Sequence, residues 1–156
     1  MTQHALLSKA GNGKPSFTVE DFSHASRHLA ASHHQYLTEH INFITYQGKQ
    51  VLMLDVSHCL ASEVETLFRG LPEFVTTRPR LSVLILSDFT GAAFDLEAVR
   101  VMKETAVFNK PHVRKSAWMG TASLPQEFAK SLSSFSRREF GVFETRKEAL
   151  AWLWKD

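Results

Sequence analysis

The sequence predicts an α/β domain with a mixed sheet of about five strands and about four helices. From residue 41 onward, short apolar runs alternate with capped segments of helical periodicity. Two runs, residues 41–46 and 49–56, are separated only by Gln47 and Gly48, which fits an antiparallel hairpin with a two-residue turn. Each later run follows a helical segment, so the remaining strands are expected to be parallel.

The three later strands differ in their expected place in the sheet. Residues 81–87 are continuously apolar, which is typical of a central strand covered on both faces. Residues 113–119 form the next predicted strand. Residues 141–143, with Phe140 as a candidate first residue, are expected to form a short edge strand.

Helix starts are predicted from capping residues. Asp95 is a predicted N-cap. Gly70 and Pro72 are expected to kink or split the helix that precedes them. Three Ser/Thr-x-x-Glu/Gln patterns predict further starts at Ser62–Glu65, Ser123–Gln126 and Thr145–Glu148. Helical spacing after Asp95 predicts that one face is formed by Leu96, Val99, Met102 and Ala106.

The N-terminal part of the chain differs from the rest. The first 40 residues hold six of the eight histidines and few large apolar residues. We therefore predict a flexible or partly helical extension over residues 1–39 and one domain over residues 40–156. A helix from Thr18 to about Glu39 is expected, and its histidines are interpreted as a solvated face in preference to a metal site.

Composition limits the function classes. An apolar fraction of 44% is ordinary for a soluble globular protein. The net charge of +2 is spread without a long block of one sign, so no nucleic-acid partner is expected. The single cysteine, Cys59, excludes an internal disulfide and fits a reducing compartment. Without an apolar run long enough for a membrane span, we expect a cytoplasmic protein.

Four segments together resemble the STAS (sulfate transporter and anti-sigma factor antagonist) superfamily, and more specifically its SpoIIAA-like proteins. Their order and spacing carry the resemblance over roughly residues 41–153. The segments are INFITYQGKQVLMLDVS, LILSDFTGAAFD, FNKPHVRKSAWMG and FSRREFGVFETRKEALAWL. The resemblance implies a STAS-like sheet and a non-enzymatic regulatory or protein-interaction module.

The chain departs from the antagonists at their phosphorylated serine. Residues 88–91 resemble the Asp-Leu-Ser-Gly-like turn of that family, and Asp95 begins the stretch where its serine is expected. Leu96 and Glu97 stand at the serine positions. The resemblance therefore implies the fold without the phosphoserine switch.

Candidate binding residues lie where the predicted strands end, because ligands in open α/β sheets bind beyond the carboxyl ends of strands. They are Asp55, Asp88, Thr90, Thr121 and Ser123. One interpretation is a shallow site for a small anion or a protein partner. The other is that each polar residue stabilises its own turn, which is favoured because Asp, Ser and Thr are common turn residues.

No catalytic constellation, metal site or cofactor motif is predicted. Cys59 follows His58, but neighbours in an extended segment point apart and no third group orients the histidine. Trp152 and Trp154 diverge by about 200° on a predicted helix, so at least one is an interface candidate and a homodimer is one hypothesis. A protein partner is the first functional hypothesis, and a small anionic or lipid-like ligand is the alternative.

Overall fold

The computed structural model describes residues 19–125, 128, 130, 131, 134 and 140–156. Its first helix, α1 (Val19–His40), agrees with the helix expected over this segment. The chain divides after Tyr36 into two units, and the second, Leu37–Asp156, carries the sheet. The domain limits of 1–39 and 40–156 stay a prediction.

The second unit has the predicted order of strands and helices. Its strands are β1 (Ile41–Tyr46), β2 (Lys49–Asp55), β3 (Val83–Asp88), β4 (Val113–Met119) and β5 (Phe140–Phe143). Its continuous helices are α2 (Ala61–Gly70), α3 (Pro72–Val75), α4 (Leu96–Asn109) and α5 (Arg146–Trp154), and Thr121–Ser123 form one 3-10 turn. Residues 128, 130, 131 and 134 are also helical.

The five strands form one mixed sheet in the order β1-β2-β3-β4-β5. Strands β1 and β2 are antiparallel, and the other neighbouring pairs are parallel. The hairpin turn has positive φ at Gln47 (45°) and Gly48 (84°), the combination of a type I′ turn. Strand β3 lies in the centre and is buried from Val83 to Ser87. The predicted α/β fold class is confirmed.

Two of the predicted helix caps are confirmed. The Asp95 carboxylate accepts a hydrogen bond from the Ala98 amide at 2.8 Å. The Thr145 hydroxyl oxygen accepts one from the Glu148 amide at 3.2 Å. Pro72 starts a separate short helix after Gly70, as expected for a residue that cannot continue the α2 hydrogen bonds. Gln126 of the pattern Ser123–Gln126 lies outside the described residues.

The predicted cap at Ser62 is wrong, because helix α2 begins earlier. Leu60 is its N-cap residue, and the Leu60 amide donates to the Glu63 carboxylate at 3.0 Å. Glu65, the residue expected to reach back to Ser62, instead accepts from Arg69 one turn later. Glu63, two residues before Glu65, therefore satisfies the free amide at this helix start.

The apolar face predicted for α4 is buried only in part. Met102 and Ala106 are buried, but Leu96 is 90% exposed and Val99 is only half-buried. The first turn of α4 therefore leaves its leading apolar residue without a covering surface. The buried face is instead formed by Ala98, Val101, Met102, Thr105, Ala106 and Asn109.

Both faces of the sheet are covered by apolar side chains. On one face, α5 packs its buried residues Ala149, Leu150 and Leu153 against strands β2, β3 and β4. On the other face, the Phe89 ring lies 6.2 Å from Phe68 of α2 and 5.3 Å from Trp118 of β4, measured between centroids. Helix α4 is tied to α2 by the Thr105 hydroxyl, which donates to the Phe68 carbonyl at 3.2 Å.

Candidate functional site

The candidate residues lie at the carboxyl edge of the sheet, which we define as the ends of β2, β3 and β4. The register pairs Asp55 with Asp88 across β2 and β3, and Asp88 with Met119 across β3 and β4. Asp55 is exposed and Asp88 is half-buried. The fold thus places the two aspartates side by side, as expected for the ends of neighbouring parallel strands.

Each aspartate closes its own turn through the residue two positions later. One oxygen of Asp55 accepts both the amide of Ser57 (2.9 Å) and its hydroxyl (2.6 Å). One oxygen of Asp88 accepts the amide of Thr90 (3.0 Å) and its hydroxyl (2.6 Å) in the same way. These are Asx-type turns reinforced by a hydroxyl. For Asp55, Asp88 and Thr90 the geometry therefore agrees with the interpretation that each residue stabilises its own turn.

Backbone hydrogen bonds join the turns to one another. The Val56 amide donates to the Asp88 carbonyl at 3.0 Å, and the His58 amide donates to the Thr90 carbonyl at 2.8 Å. The Phe89 amide donates to the Met119 carbonyl at 3.0 Å. The parallel pairing therefore continues beyond the strands and makes the turns one connected layer.

Each of the two Asp turns is followed by a residue with left-handed backbone, three positions after the aspartate. His58 (φ 57°) follows the first Asp-x-Ser turn, and Gly91 (φ 66°) follows the Asp-x-Thr turn. A Cβ at Gly91 would lie 2.8 Å from Cε1 of the His58 ring, so the histidine covers the next turn. Gly120 (φ 66°) follows β4, and a Cβ there would lie 2.5 Å from the amide nitrogen of Thr90. The contact with backbone atoms therefore requires glycine at residue 120, whereas a Cβ at residue 91 would displace the exposed His58 ring.

Thr121 and Ser123 lie in the three-residue 3-10 turn after Gly120. The Ser123 hydroxyl donates to the Phe89 carbonyl at 3.3 Å, which attaches this turn to the Asp88 loop. Thr121 is half-buried, and its carbonyl accepts from the Leu124 amide at 3.0 Å. Both residues thus take part in the local structure of the carboxyl edge.

Cys59 lies behind this layer and is 5% exposed. Burial raises the pKa of its thiol above the ordinary value of 9.0, and the nearby charges of Glu63 and Asp55 act in the same direction. A raised pKa keeps the sulfur protonated at neutral pH, whereas a nucleophilic cysteine needs the thiolate.

Two large apolar side chains lie exposed next to the turns. Leu60, the N-cap residue of α2, is 65% exposed, and Leu96, the first residue of α4, is 90% exposed. Cys59 accepts through its carbonyl from the Ala93 amide at 2.9 Å, which holds the two helix starts to the same layer. We call Leu60 and Leu96 the leucine pair.

The tryptophans contact different parts of the domain. Trp152 is half-buried, with its ring centroid 5.4 Å from that of Phe143. Trp154 is exposed, and its indole N–H donates to the Gln47 carbonyl at 3.2 Å. A lysine lies over each ring, Lys115 over Trp152 and Lys49 over Trp154. The homodimer through Trp152 or Trp154 stays a prediction.

Neither a metal centre nor a membrane span is present among the residues that the structure describes. Within them, three or more His, Cys, Asp or Glu side chains do not come together as metal ligands. In the same part of the chain, none of the helices is both long and apolar enough to cross a membrane.

Sequence reasoning located Ser57, His58, Gly91 and Gly120 at the strand ends or in the following turn, but did not select them as candidate site residues. A signal was present, since Asp55-Val56-Ser57 and Asp88-Phe89-Thr90 repeat the spacing Asp-x-Ser/Thr after two neighbouring strands. Gly120 has a similar signal, because it directly follows the strand next to β3.

No family model matches the chain, and no curated protein matches it. A solved structure does match, that of an uncharacterized protein from the DUF3478 family with a SpoIIAA-like fold from Shewanella loihica PV-4. The TM-score is 0.58 at 20% identity, over 72% of this chain and 91% of that chain. At this identity the likeness shows the fold. The chain therefore has the SpoIIAA-like, STAS-type fold that its sequence predicted.

Proposed function

We propose that the chain is a non-enzymatic STAS-like module that binds a protein partner at the carboxyl edge of its sheet, and that it works without a phosphoserine switch. The exposure of the leucine pair beside the closed turns carries this proposal. Leu96 is 90% exposed at a helix start, where an apolar side chain gains most by being covered in a complex. The closed turns provide a preorganised surface around it.

The hydrogen bonds of the turns argue against a switch at Thr90. Its hydroxyl donates to Asp88 at 2.6 Å, so a phosphate on that oxygen would place a charge of about −2 against a carboxylate. The neighbouring helix start has Asp95 as its cap and Glu97 in its first turn. An added phosphate would therefore be repelled at the position where a helix start usually attracts one.

The same turns support a non-enzymatic role. The oxygen of each aspartate that accepts from Ser57 or Thr90 is already doubly occupied within its own turn. Cys59 is buried and protonated, and the His58 ring covers Gly91. We propose a cytoplasmic location, because a single buried thiol is suited to a reducing compartment.

A lipid-like ligand is less well supported. A cavity of about 360 Å³ lies between α2 and α4 and includes Arg69, Glu104 and Phe108 in its lining. Its charged groups would be buried at a cost by an apolar chain. A protein partner that leaves those charges in water is favoured.

The test is a capture experiment followed by reconstitution. We expect Leu96→Asp to lose a partner that the unchanged chain retains, with the affinity of the purified pair falling at least about tenfold by calorimetry. Val107→Asp is the matched control, since Val107 is also exposed on α4 but near its other end. Equal losses for both variants, or equal retention, would contradict the proposed surface.

The switch is tested in the same reconstituted pair. Thr90→Ala and Thr90→Glu should shift partner affinity in the same direction or leave it unchanged, because each removes the hydrogen bond to Asp88. Phosphopeptide mapping of the protein from its own cells should find Thr90 unmodified. Opposite effects of the two substitutions together with phosphate on Thr90 would overturn the absence of a switch.

A further inference from the structure

A second cavity lies at the amino edge of the sheet, which we define as the beginnings of β2, β3 and β4. Its volume is about 160 Å³. Phe43 pairs with Leu52, and Leu52 pairs with Ile85, so these three residues share one face of the sheet. Alternation along the strands places Gln50 and Val83 on that face as well. Among the described residues, the lining consists of Phe43, Gln50, Arg78, Pro79, Ser82 and Val83.

Arg78 gives this cavity its charge. Its guanidinium carbon lies over the Phe43 ring, 4.0 Å from the ring centroid, in a cation–π contact. A planar guanidinium can stack on an aromatic ring through its face, and its N–H groups, which lie in the plane, then stay available as donors. Within the described residues, these donors form no hydrogen bond or ion pair.

Three other arginines of the domain, Arg69, Arg100 and Arg114, are neutralised by nearby carboxylates. Arg69 pairs with Glu65 and Glu97, Arg100 pairs with Glu97 and Glu104, and Arg114 pairs with Asp156. Arg78 is half-buried, stacked on an aromatic ring and without a described carboxylate partner. Unlike these ion-paired arginines, Arg78 therefore keeps a positive charge that can be neutralised by a bound anion.

The loop that carries Arg78 is held firmly. The Arg78 amide donates to the Val75 carbonyl at 3.1 Å, and the Arg78 carbonyl accepts from the His112 ring at 2.8 Å. The Ser82 hydroxyl donates to the Pro79 carbonyl at 2.6 Å. Leu81 has a φ of 52°, which is unfavourable for a bulky side chain and persists only where the surroundings impose it. The cation is therefore preorganised.

We propose that this cavity binds a small oxyanion, a carboxylate or phosphate group, through the in-plane donors of Arg78. The planar guanidinium matches two oxygens of either group with parallel hydrogen bonds. The side-chain amide of Gln50, which also lines the cavity, supplies further donors. A volume of about 160 Å³ accommodates an ion the size of acetate or phosphate, since a water molecule occupies about 30 Å³. This site is separate from the carboxyl edge and does not depend on the function proposed there.

The test is a titration of the full chain in which NMR amide chemical shifts are measured at each step. Inorganic phosphate and sodium acetate are the two probes, and sodium chloride at matched ionic strength is the reference. We expect saturable shifts at Gln50, Ser82 and Val83 with phosphate, acetate or both, and the responding probe identifies which oxyanion the site takes. Linear shifts indistinguishable from those with chloride for both probes would overturn the proposal.

Variants separate a specific site from general attraction to positive charge. Arg78→Ala should lower the affinity for the responding probe at least about tenfold, because the substitution removes charge-assisted hydrogen bonds. Arg78→Lys should bind with intermediate affinity, since it keeps the charge without the planar donors. Arg80→Ala, on the same loop but outside the cavity lining, should leave the affinity unchanged. Circular dichroism confirms the fold of each variant, and equal binding by Arg78→Ala and the unchanged chain would overturn the proposal.

Discussion

The two edges of the sheet use their polar residues differently. At the carboxyl edge, Asp55 and Asp88 are committed to the turns that follow them, each accepting an amide and a hydroxyl. At the amino edge, Arg78 has its backbone fixed while its side chain stacks on Phe43. The two aspartates, a residue type common in binding sites, thus stabilise the fold. Arg78, in a loop without a recognisable motif, keeps N–H donors that can bind a ligand.

The distance in sequence between partners explains this difference. An aspartate reaches the amide and hydroxyl two residues later without help from the rest of the fold. Arg78 meets Phe43 only because the sheet brings β1 beside the loop that precedes β3. Closed local turns give rigidity, and side chains placed by tertiary structure are the better candidates for binding.

The largest expected effect comes from breaking the contact between turns at the carboxyl edge. Gly120→Ala should lower the free energy of unfolding by about 2–4 kcal/mol, combining left-handed strain with a steric clash. The added Cβ would lie 2.5 Å from the backbone nitrogen of Thr90 and 2.8 Å from its Cα, and backbone atoms yield little. Urea unfolding measures the change.

Gly48→Ala is the matched control for this substitution. Gly48 also has positive φ (84°), but an added Cβ there would meet nothing within 4 Å. Its cost should be only the strain of about 1–2 kcal/mol. If both substitutions cost the same, the turns are not packed as closely as the comparison requires.

A smaller effect is expected from the aspartates themselves. Asp88→Ala should cost about 1–2 kcal/mol, because two hydrogen bonds to a half-buried carboxylate are lost. Asp55→Ala should cost less, about 0.5–1 kcal/mol, since Asp55 is exposed and water replaces its partners. Thermal unfolding measures both.

The aspartate pair also tests the assignment of roles. If Asp88 mainly stabilises its turn, Thr90→Val should account for part of the same loss, and the double variant should cost less than the sum. Unchanged stability of Asp88→Ala, combined with loss of partner binding, would instead make Asp88 a binding residue.

Local chemistry made much of the fold predictable. The Gln47-Gly48 turn, the Asp95 and Thr145 caps and the apolar run of β3 all depend on residues close in sequence, and all are confirmed. The Ser62 cap was wrong because two glutamates compete there, and Glu63 reaches Leu60 while Glu65 pairs with Arg69. Leu96 belongs to the predicted apolar face but is exposed, and periodicity does not tell where a helix extends beyond its covering surface.

The candidate sites were less predictable for the same reason. The position of Asp88 beside Asp55 followed from strand order, but the use of their oxygens by Ser57 and Thr90 required side-chain geometry. The stacking of Arg78 on Phe43 had no local signal. Contacts that depend on packing between distant segments therefore could not be predicted from the sequence.

The smallest expected effect concerns the other cations of the amino edge. Lys49 and Arg114 lie near the starts of β2 and β4 and share the Asp156 carboxylate, at 3.2 and 3.0 Å. Their hydrogen bonds, that of Lys49 first, lower the pKa of Asp156 below its ordinary value. A depressed folded-state pKa stabilises the fold above the unfolded value, and this contribution is lost as pH falls through the folded value.

Asp156→Asn should therefore lower the melting temperature slightly at neutral pH, and the difference should close as pH falls through the acidic range where Asp156 protonates. High salt should reduce it at neutral pH, because the carboxylate is exposed. Glu144→Gln, at an exposed carboxylate outside the described ion pairs, is the control and should show no such convergence. Oxyanion binding at Arg78 should be unchanged in Asp156→Asn, because Asp156 neutralises Lys49 and Arg114 and is not a described partner of Arg78. A large gain in oxyanion affinity would mean that the Asp156 carboxylate competes for Arg78. Arg78 would then not differ from Lys49 and Arg114 in having unpaired donors.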